Sequence, residues 1–347
     1  GGADTTYDLT DELQYGAGIS VSSASVANTA PGSIATNAAW DGQADTGIVA
    51  GEAIAAGDVH TYRVTVAAVA PAGLDPAAAD CEPGAPGEGS GFLNTAMLTS
   101  NGDPQEADAC APVASVTIDK ALVGAPVANG DGTYTVAYDV TVANAGDGAT
   151  AYDLTDVLAY GESIAVLSAS VANVQPGTIV VNEAWDGRTD PLVAEEVPIA
   201  ARATHTYRVT VVASVPVDLD PAEASCDPEA PAGGTGFANT ATLTANGDSL
   251  DADACAPVPT LAIDKELAAD PVPNGDGTTS ISYDVTVTNT GAVDTTYDLD
   301  DELHFGDGIE VRSARVANVT PAGIATEPSW DGRTQMRIVS AQPISAG

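Results

Sequence analysis

Lysine, methionine and aromatic side chains are all scarce in this chain. Its 347 residues hold two lysines and two methionines, and aromatics make up 5% of the whole. Few rings mean modest cores, built mainly from valine, alanine and leucine. Basic residues are scarce as well, 10 against 49 acidic ones, a formal charge of 10 − 49 = −39. Such a surface repels nucleic acid and anionic lipid, so neither is expected as a partner. It keeps a long secreted molecule soluble. No apolar run approaches the roughly 20 residues of a membrane helix. The opening Gly1-Gly2-Ala3 carries no signal-peptide pattern, so any export signal or anchor is expected outside this chain. There is no Cys-x-x-Cys, no phosphate-binding glycine loop and no recurring nucleophile–base pair, so no turnover enzyme is expected.

What the chain does have is a long, strict repeat. Tyr7, Tyr152 and Tyr297 each open a Tyr-Asp-Leu phrase, spaced 152 − 7 = 297 − 152 = 145 residues apart. Trp40, Trp185 and Trp330 keep the same interval, each starting a Trp-Asp-Gly turn. The interval is the size of a whole domain rather than of a solenoid unit, and it implies a tandem array.

Within each repeat the hydrophobic pattern has period two. Tyr134, Val136, Tyr138, Val140 and Val142 alternate with small or polar residues, as do Tyr207, Val209 and Val211. Phe237, Asn239, Ala241 and Leu243 share a third stripe. Turn signals separate them: Asn129-Gly130-Asp131-Gly132, Asp186-Gly187 and Pro231-Ala232-Gly233-Gly234. No segment of helix length has a helical period. The pattern predicts an all-β fold of tandem immunoglobulin-like antiparallel β-sandwiches, with about eight strands per repeat.

Linker chemistry sets the boundaries. Cys-Ala-Pro-Val recurs at 110–113 and 255–258, each time before a strand ending Ile-Asp-Lys. The expected division is a C-terminal part of one repeat at 1–112, a complete repeat at 113–257, and an N-terminal part of a third at 258–347. Both ends would then fall inside repeats, as in a piece of a longer array. The four cysteines form register-equivalent pairs, Cys81 with Cys110 and Cys226 with Cys255. One pair per repeat predicts one disulfide each, worth about 3.5 kcal/mol on the chain-entropy model. Disulfides in turn imply an oxidising, extracellular setting.

Several phrases carry a family resemblance: Val116-Thr-Ile-Asp-Lys120, then Tyr138-Asp-Val-Thr-Val-Ala-Asn144-Ala-Gly146, Tyr152-Asp-Leu-Thr-Asp156-Val-Leu158 and Phe237-Ala-Asn239-Thr-Ala241-Thr-Leu243. Together they resemble the DUF11-type repeat of bacterial surface proteins. The resemblance implies secreted tandem β-sandwich stalks, often of adhesins or large wall-anchored proteins, and supplies no ligand.

One constellation has chemistry in it. The two lysines, Lys120 and Lys265, occupy one repeat position. Alternation puts Lys120 on the face of Val116, Ile118 and Leu122, and Lys265 on that of Leu261, Ile263 and Leu267, so both should point inward. A buried ammonium costs several kcal/mol unless paired. Asp156 and Asn239 lie on inward stripes of their own. A lysine on the first strand, an asparagine on the last and an aspartate between them are the parts of a self-forming isopeptide bond. The plainer reading is a buried Lys120–Asp156 ion pair with Asn239 filling leftover hydrogen bonds. Partial sets stand at the ends: Asp11 and Asn94 without a lysine, Lys265 and Asp301 without an asparagine.

Weaker signals point to structure. The turns Asn129–Gly132 and Asn274–Gly277 lack the spaced carboxylates of a calcium loop and read as hairpins. The acidic runs Asp218–Asp220 and Asp248–Asp253 read as solvated loops, the alternative being calcium at repeat junctions, and no other cofactor is implied. His60 and His205 read as strand-end residues. The Trp-Asp-Gly turns read as plugs of the sandwich end rather than a sugar platform, and the Asn318-Val-Thr320 sequon as chance. The expected function is a structural stalk or extracellular fibre whose partners are neighbouring repeats and, in a filament, further copies of itself. The alternative is an adhesin module that itself binds a host protein or glycan.

Overall fold

The computed structural model describes residues 2–81, 91–216, 219–227, 229 and 235–346. Asp218 and the Pro231–Gly234 turn therefore lie outside the described residues. Residues 1–112 contribute β1 (Thr5–Leu13), β2 (Ser20–Ala30), β3 (Gly47–Ile54), β4 (Thr61–Val69), the short helix α1 (Pro76–Ala79), β5 (Asn94–Ser100) and β6 (Asp103–Ala109). Residues 113–257 contribute β7 (Val116–Leu122), β8 (Val127–Ala128), β9 (Thr133–Asn144), β10 (Thr150–Leu158), β11 (Ala165–Gln175), β12 (Leu192–Ile199) and β13 (Thr204–Ser214). The helix α2 (Pro221–Ala224), β14 (Phe237–Ala245) and β15 (Asp248–Ala256) complete that stretch. Then come β16 (Leu261–Pro273), β17 (Thr279–Asn289), β18 (Thr295–Asp300) and β19 (Arg337–Ile344).

Among the described residues the chain is all-β and antiparallel, apart from two four-residue helices. In 113–257 two sheets face each other, ordered β12-β10-β14-β15 and β11-β13-β9-β7, with β8 against β9. Period two builds them: along β13 every second residue from His205 to Ala213 is buried, and along β14 every second residue from Phe237 to Ala245. Tyr138, Tyr152, Tyr207, Phe237, Leu154 and Leu243 meet between the sheets as one core. Burying side chains of that size stabilises by about 1.5–3 kcal/mol each.

The flanking stretches reuse the same parts with fewer partners. Residues 1–112 form a sheet ordered β3-β1-β5-β6 and a β2-β4 pair, while 258–347 form the pairs β16-β17 and β18-β19. Residues 310–320 match β11 in sequence yet form no ladder. The chain holds no register equivalent of β13 beside them, and a strand without a partner cannot satisfy its backbone. The same shortage leaves Ile263 and Leu267 of β16 exposed, against the expectation that their stripe faces inward.

The acidic run Asp248–Asp253 is not a loop. It lies in β15, where the outward carboxylates of Asp251 and Asp253 accept hydrogen bonds from Thr242 and Thr240 of β14. Asn318 is committed to its own turn, where its side-chain oxygen accepts from the Ile324 N–H.

Successive repeats meet over a tight seam. The Gly73 N–H donates to the Val116 carbonyl at 2.9 Å, the Ser115 hydroxyl to the Leu74 carbonyl, and the Val113 N–H to the Ala79 carbonyl at 2.8 Å. Ala72 packs into the core of the following repeat. Asn144 braces the 113–257 side of this seam from within. Its oxygen accepts from the Ser115 and Gly146 amides, and its nitrogen donates to the Gly148 and Ala200 carbonyls. Asn289 repeats two of those bonds, to Gly291 and Val293.

Disulfides join Cys81 to Cys110 and Cys226 to Cys255, each spanning 29 residues. Each ties the segment just after a short helix to the end of the last strand of its stretch. We expect Cys226→Ser with Cys255→Ser to lower the unfolding free energy of 113–257 by about 2–4 kcal/mol. Urea unfolding followed by Trp185 fluorescence, in a Trp40→Phe, Trp330→Phe background, measures it. Asn144→Ala should cost about 1–3 kcal/mol in the same assay, by leaving buried amides and carbonyls without partners.

Candidate functional site: a buried lysine, aspartate and asparagine

Lys120 projects from β7 into the space between the sheets, and its side chain has 0% exposure. Opposite it, β10 and β14 run in register with Asp156 across from Ala241 and Leu158 across from Asn239. Asp156 and Asn239 are thus diagonal neighbours on one inward face. The Lys120 Nζ donates to Asp156 Oδ2. Asp156 Oδ1 and both polar atoms of the Asn239 side chain are buried without a hydrogen-bond partner. Three orphaned atoms in one cluster are costly, at about 1–3 kcal/mol for each lost partner.

Electrostatics pull the pair toward neutrality. Burial pushes the Lys120 amine below its ordinary range, against the opposing pull of the Asp156 charge and, more weakly, of Asp253. Burial likewise pushes the Asp156 carboxyl up, against Lys120. Asn239 holds the carboxyl down somewhat, from close by but outside ordinary hydrogen-bond geometry. The amine also sits 5.4 Å from the centre of the Tyr138 ring, whose hydroxyl donates to the Phe237 carbonyl at 2.6 Å.

Lys120 on β7 and Asp156 on β10 sit on a first and a middle strand as expected, but the third residue does not sit on the last. Asn239 is on β14, the penultimate strand, because β15 follows it as a hairpin. A Lys120–Asn239 link would therefore join first strand to penultimate strand.

The partial sets show what each component does alone. Asp11 is buried, with its Oδ1 and the Asn94 Oδ1 both unpartnered. Burial pushes the Asp11 carboxyl up, with Asn94 acting in the opposite direction. Lys265 bonds both oxygens of Asp301 at 2.8 Å, and its side chain is 39% exposed. Its amine faces the equivalent aspartate and lies 5.2 Å from the centre of the Tyr283 ring, as Lys120 does with its own partners, and it is exposed because 258–347 has no equivalent of β14 and β15 to cover β16.

The Trp-Asp-Gly turn contributes more than a plug. Trp185 is buried in the core, and its indole N–H donates to the Asp156 backbone carbonyl at 3.0 Å. Trp40 does the same to Asp11 at 3.1 Å, and Trp330 to Asp301 at 3.0 Å. The shared interval of 29 residues is visible in the repeat, but the bond itself emerges only in the fold. A ring so buried is no exposed sugar platform. His205 also has a defined place: its Nδ1 lies 2.8 Å from the Tyr152 hydroxyl, which meets the Tyr207 hydroxyl at 2.7 Å. His60, Tyr7 and Tyr62 repeat this trio. In the Asn129–Gly132 turn, the Asp131 carboxylate accepts from the amide and hydroxyl of Thr133.

Paired, Lys120 and Asp156 share one proton whichever of them holds it, so the pair adds little slope to stability between the two ordinary ranges. Lys120→Met breaks that balance. Asp156 then stays buried alone with its folded-state pKa raised above the unfolded value, so stability is highest where both states are protonated. It falls as pH rises from about 4 toward the folded value. Compared with the double variant Lys120→Met, Asp156→Asn, we expect near-equal stability at about pH 3 and a deficit of about 3 kcal/mol at about pH 7. Urea unfolding across that range measures it, and a flat difference would contradict the assignment.

No family model and no curated protein matches the chain. The DUF11-type resemblance therefore rests on its short motifs. Among solved structures, the chain is similar to a variant of BcpA, the major pilin subunit of Bacillus cereus. The two share 12% identity at a TM-score of 0.31, over 90% of this chain and 94% of that one. A likeness at that score carries no argument about what this chain does.

Proposed function

We propose that this chain is a structural segment of an extracellular fibre or stalk, built from tandem β-sandwich modules and locked internally by covalent bonds. The observation that carries this reading is the dry cluster of Lys120, Asp156 and Asn239 inside a strictly repeated sandwich. Two disulfides support an oxidising location. The seam bonds between repeats support a projecting, load-bearing role over a loose string. The charge of −39 supports solubility of an extended molecule. The DUF11-type motifs support a bacterial surface setting.

The chemistry follows from the burial. Within the pair, the proton passes from Lys120 to Asp156, giving a neutral amine and a neutral carboxylic acid. The acid donates a hydrogen bond to the Asn239 side-chain oxygen and polarises the carbonyl, while the amine attacks the Asn239 Cγ. A proton from the attacking nitrogen reaches the amide nitrogen by way of the Asp156 carboxyl. The Cγ–N bond then breaks and ammonia leaves. The products are one Lys120–Asn239 amide and one ammonia, and the proton that Lys120 gave up at the start remains on the Asp156 carboxyl. The reaction happens once per molecule, so no turnover activity accompanies it.

Intact mass of the disulfide-reduced 347-residue chain tests this. The expected result is a deficit of one ammonia, absent in Lys120→Ala and in Asp156→Ala. An unmodified mass in the parent chain rules out the bond.

A further inference from the structure

Asp156 stands where β10 leaves one of its neighbours. The β10–β12 ladder is irregular between Tyr152 and Thr155, and its last pair is Thr155 with Leu192. Past that point the backbone of Asp156 has no strand on its β12 side. Two other groups take over: its N–H donates to the Pro191 carbonyl at 2.8 Å, and its carbonyl accepts from the Trp185 indole. The turn carrying Trp185 is itself fixed. Asp186 Oδ1 accepts the amides of Arg188, Thr189 and Asp190, and Gly187 adopts φ +68° where a Cβ would run into Leu158.

We infer that Trp185 is a positioning residue for the buried cluster: its indole N–H pins the backbone of Asp156 so that the carboxyl faces Lys120 and Asn239. The crosslinking consequence rests on the function proposed above, whereas the positioning itself does not. Three copies of the device carry the inference, since Trp40 and Trp330 hold Asp11 and Asp301 in the same way. A plug needs only the shape of the ring, yet in all three copies the indole nitrogen meets the carbonyl of the one inward-facing aspartate. The charged and titratable groups acting on Lys120 are few, namely Asp156 from β10, Asp253 from β15 and the Tyr138 ring from β9.

The chain's lysine poverty provides the test. Isotope-labelled lysine gives two side-chain resonances, Lys120 and Lys265. In an Asn239→Ala background no amide can form, so the Lys120 amine stays free to titrate. There, Trp185→Phe should lower the Lys120 titration midpoint by about one pH unit, because a displaced carboxylate no longer opposes burial. Trp330→Phe and Trp40→Phe should leave the Lys120 midpoint in place. With Asn239 intact, Trp185→Phe should slow ammonia loss by about tenfold to a hundredfold. An unchanged Lys120 midpoint in Trp185→Phe overturns the inference, even if that variant melts at a lower temperature. If the parent chain never loses ammonia, the crosslink fails and the titration still decides the positioning. Should Trp185→Phe not fold, replacing tryptophan biosynthetically with its benzothiophene analogue removes the N–H and keeps the ring shape. The Lys120 midpoint should then shift, and an unmoved midpoint would again overturn the inference.

Discussion

Everything distinctive in this chain follows from placing a lysine amine where water cannot reach it. Between the two sheets of 113–257, the Lys120 and Asp156 side chains have no exposure, so their charges lose hydration worth several kcal/mol each. Mutual attraction offsets part of that loss, and orphaned atoms on Asp156 and Asn239 add to it. An apolar trio of similar volume would be a more stable filling. The cluster is therefore hard to explain as a stabilising device in its noncovalent form. Amide formation would remove the charges and use the Asn239 carbonyl carbon.

The repeat makes the same residues into their own controls. Lys265 faces Asp301 at ordinary distance with water nearby, and there the pair is an ion pair of the surface kind, worth little. Asp11 sits in a dry place with no amine beside it, and burial alone lifts its pKa. Lys120 and Asp156 combine both conditions, with dryness supplied by β14 and β15 and proximity by the facing sheets. What differs among the three copies is how many strands cover the site, since the sequences around it are nearly alike.

Much of this was legible in the sequence, because period two directly reports which side chain faces inward. Tyr138, Tyr207 and Phe237 fall where alternation puts them, and a shared spacing of 29 residues pairs the cysteines. Facing is a local property, and local patterns carry it. Strand order is not local: nothing in the stripe of β14 says that β15 follows it in the same sheet, which is why Asn239 was misplaced at the last strand. Coverage is not local either, so Lys265 and Ile263 read as buried although the strands that would cover them are missing from the chain. The Trp185 bond was hidden for a third reason. It joins a turn to the backbone of a distant strand, and backbone acceptors leave no mark on a sequence.

Strand order also decides what a Lys120–Asn239 bond would do under load. Tension entering at Val116 and leaving at Ala256 would cross the amide and so bypass every strand from β8 to β13. The β14–β15 hairpin would remain in the path, because it lies beyond Asn239. Its hydrogen bonds lie across the pulling direction and open one at a time, the weaker geometry for a sheet. Here the second covalent tie matters. Cys255, one residue before the exit, is bonded to Cys226, which precedes β14. With both links in place, Asn239 is held to Cys226 by the chain on one side and to Cys255 on the other, so peeling β15 releases only the slack between those points. Neither bond alone closes the module, and with both in place the free path shortens only from 255 − 239 = 16 residues to 239 − 226 = 13.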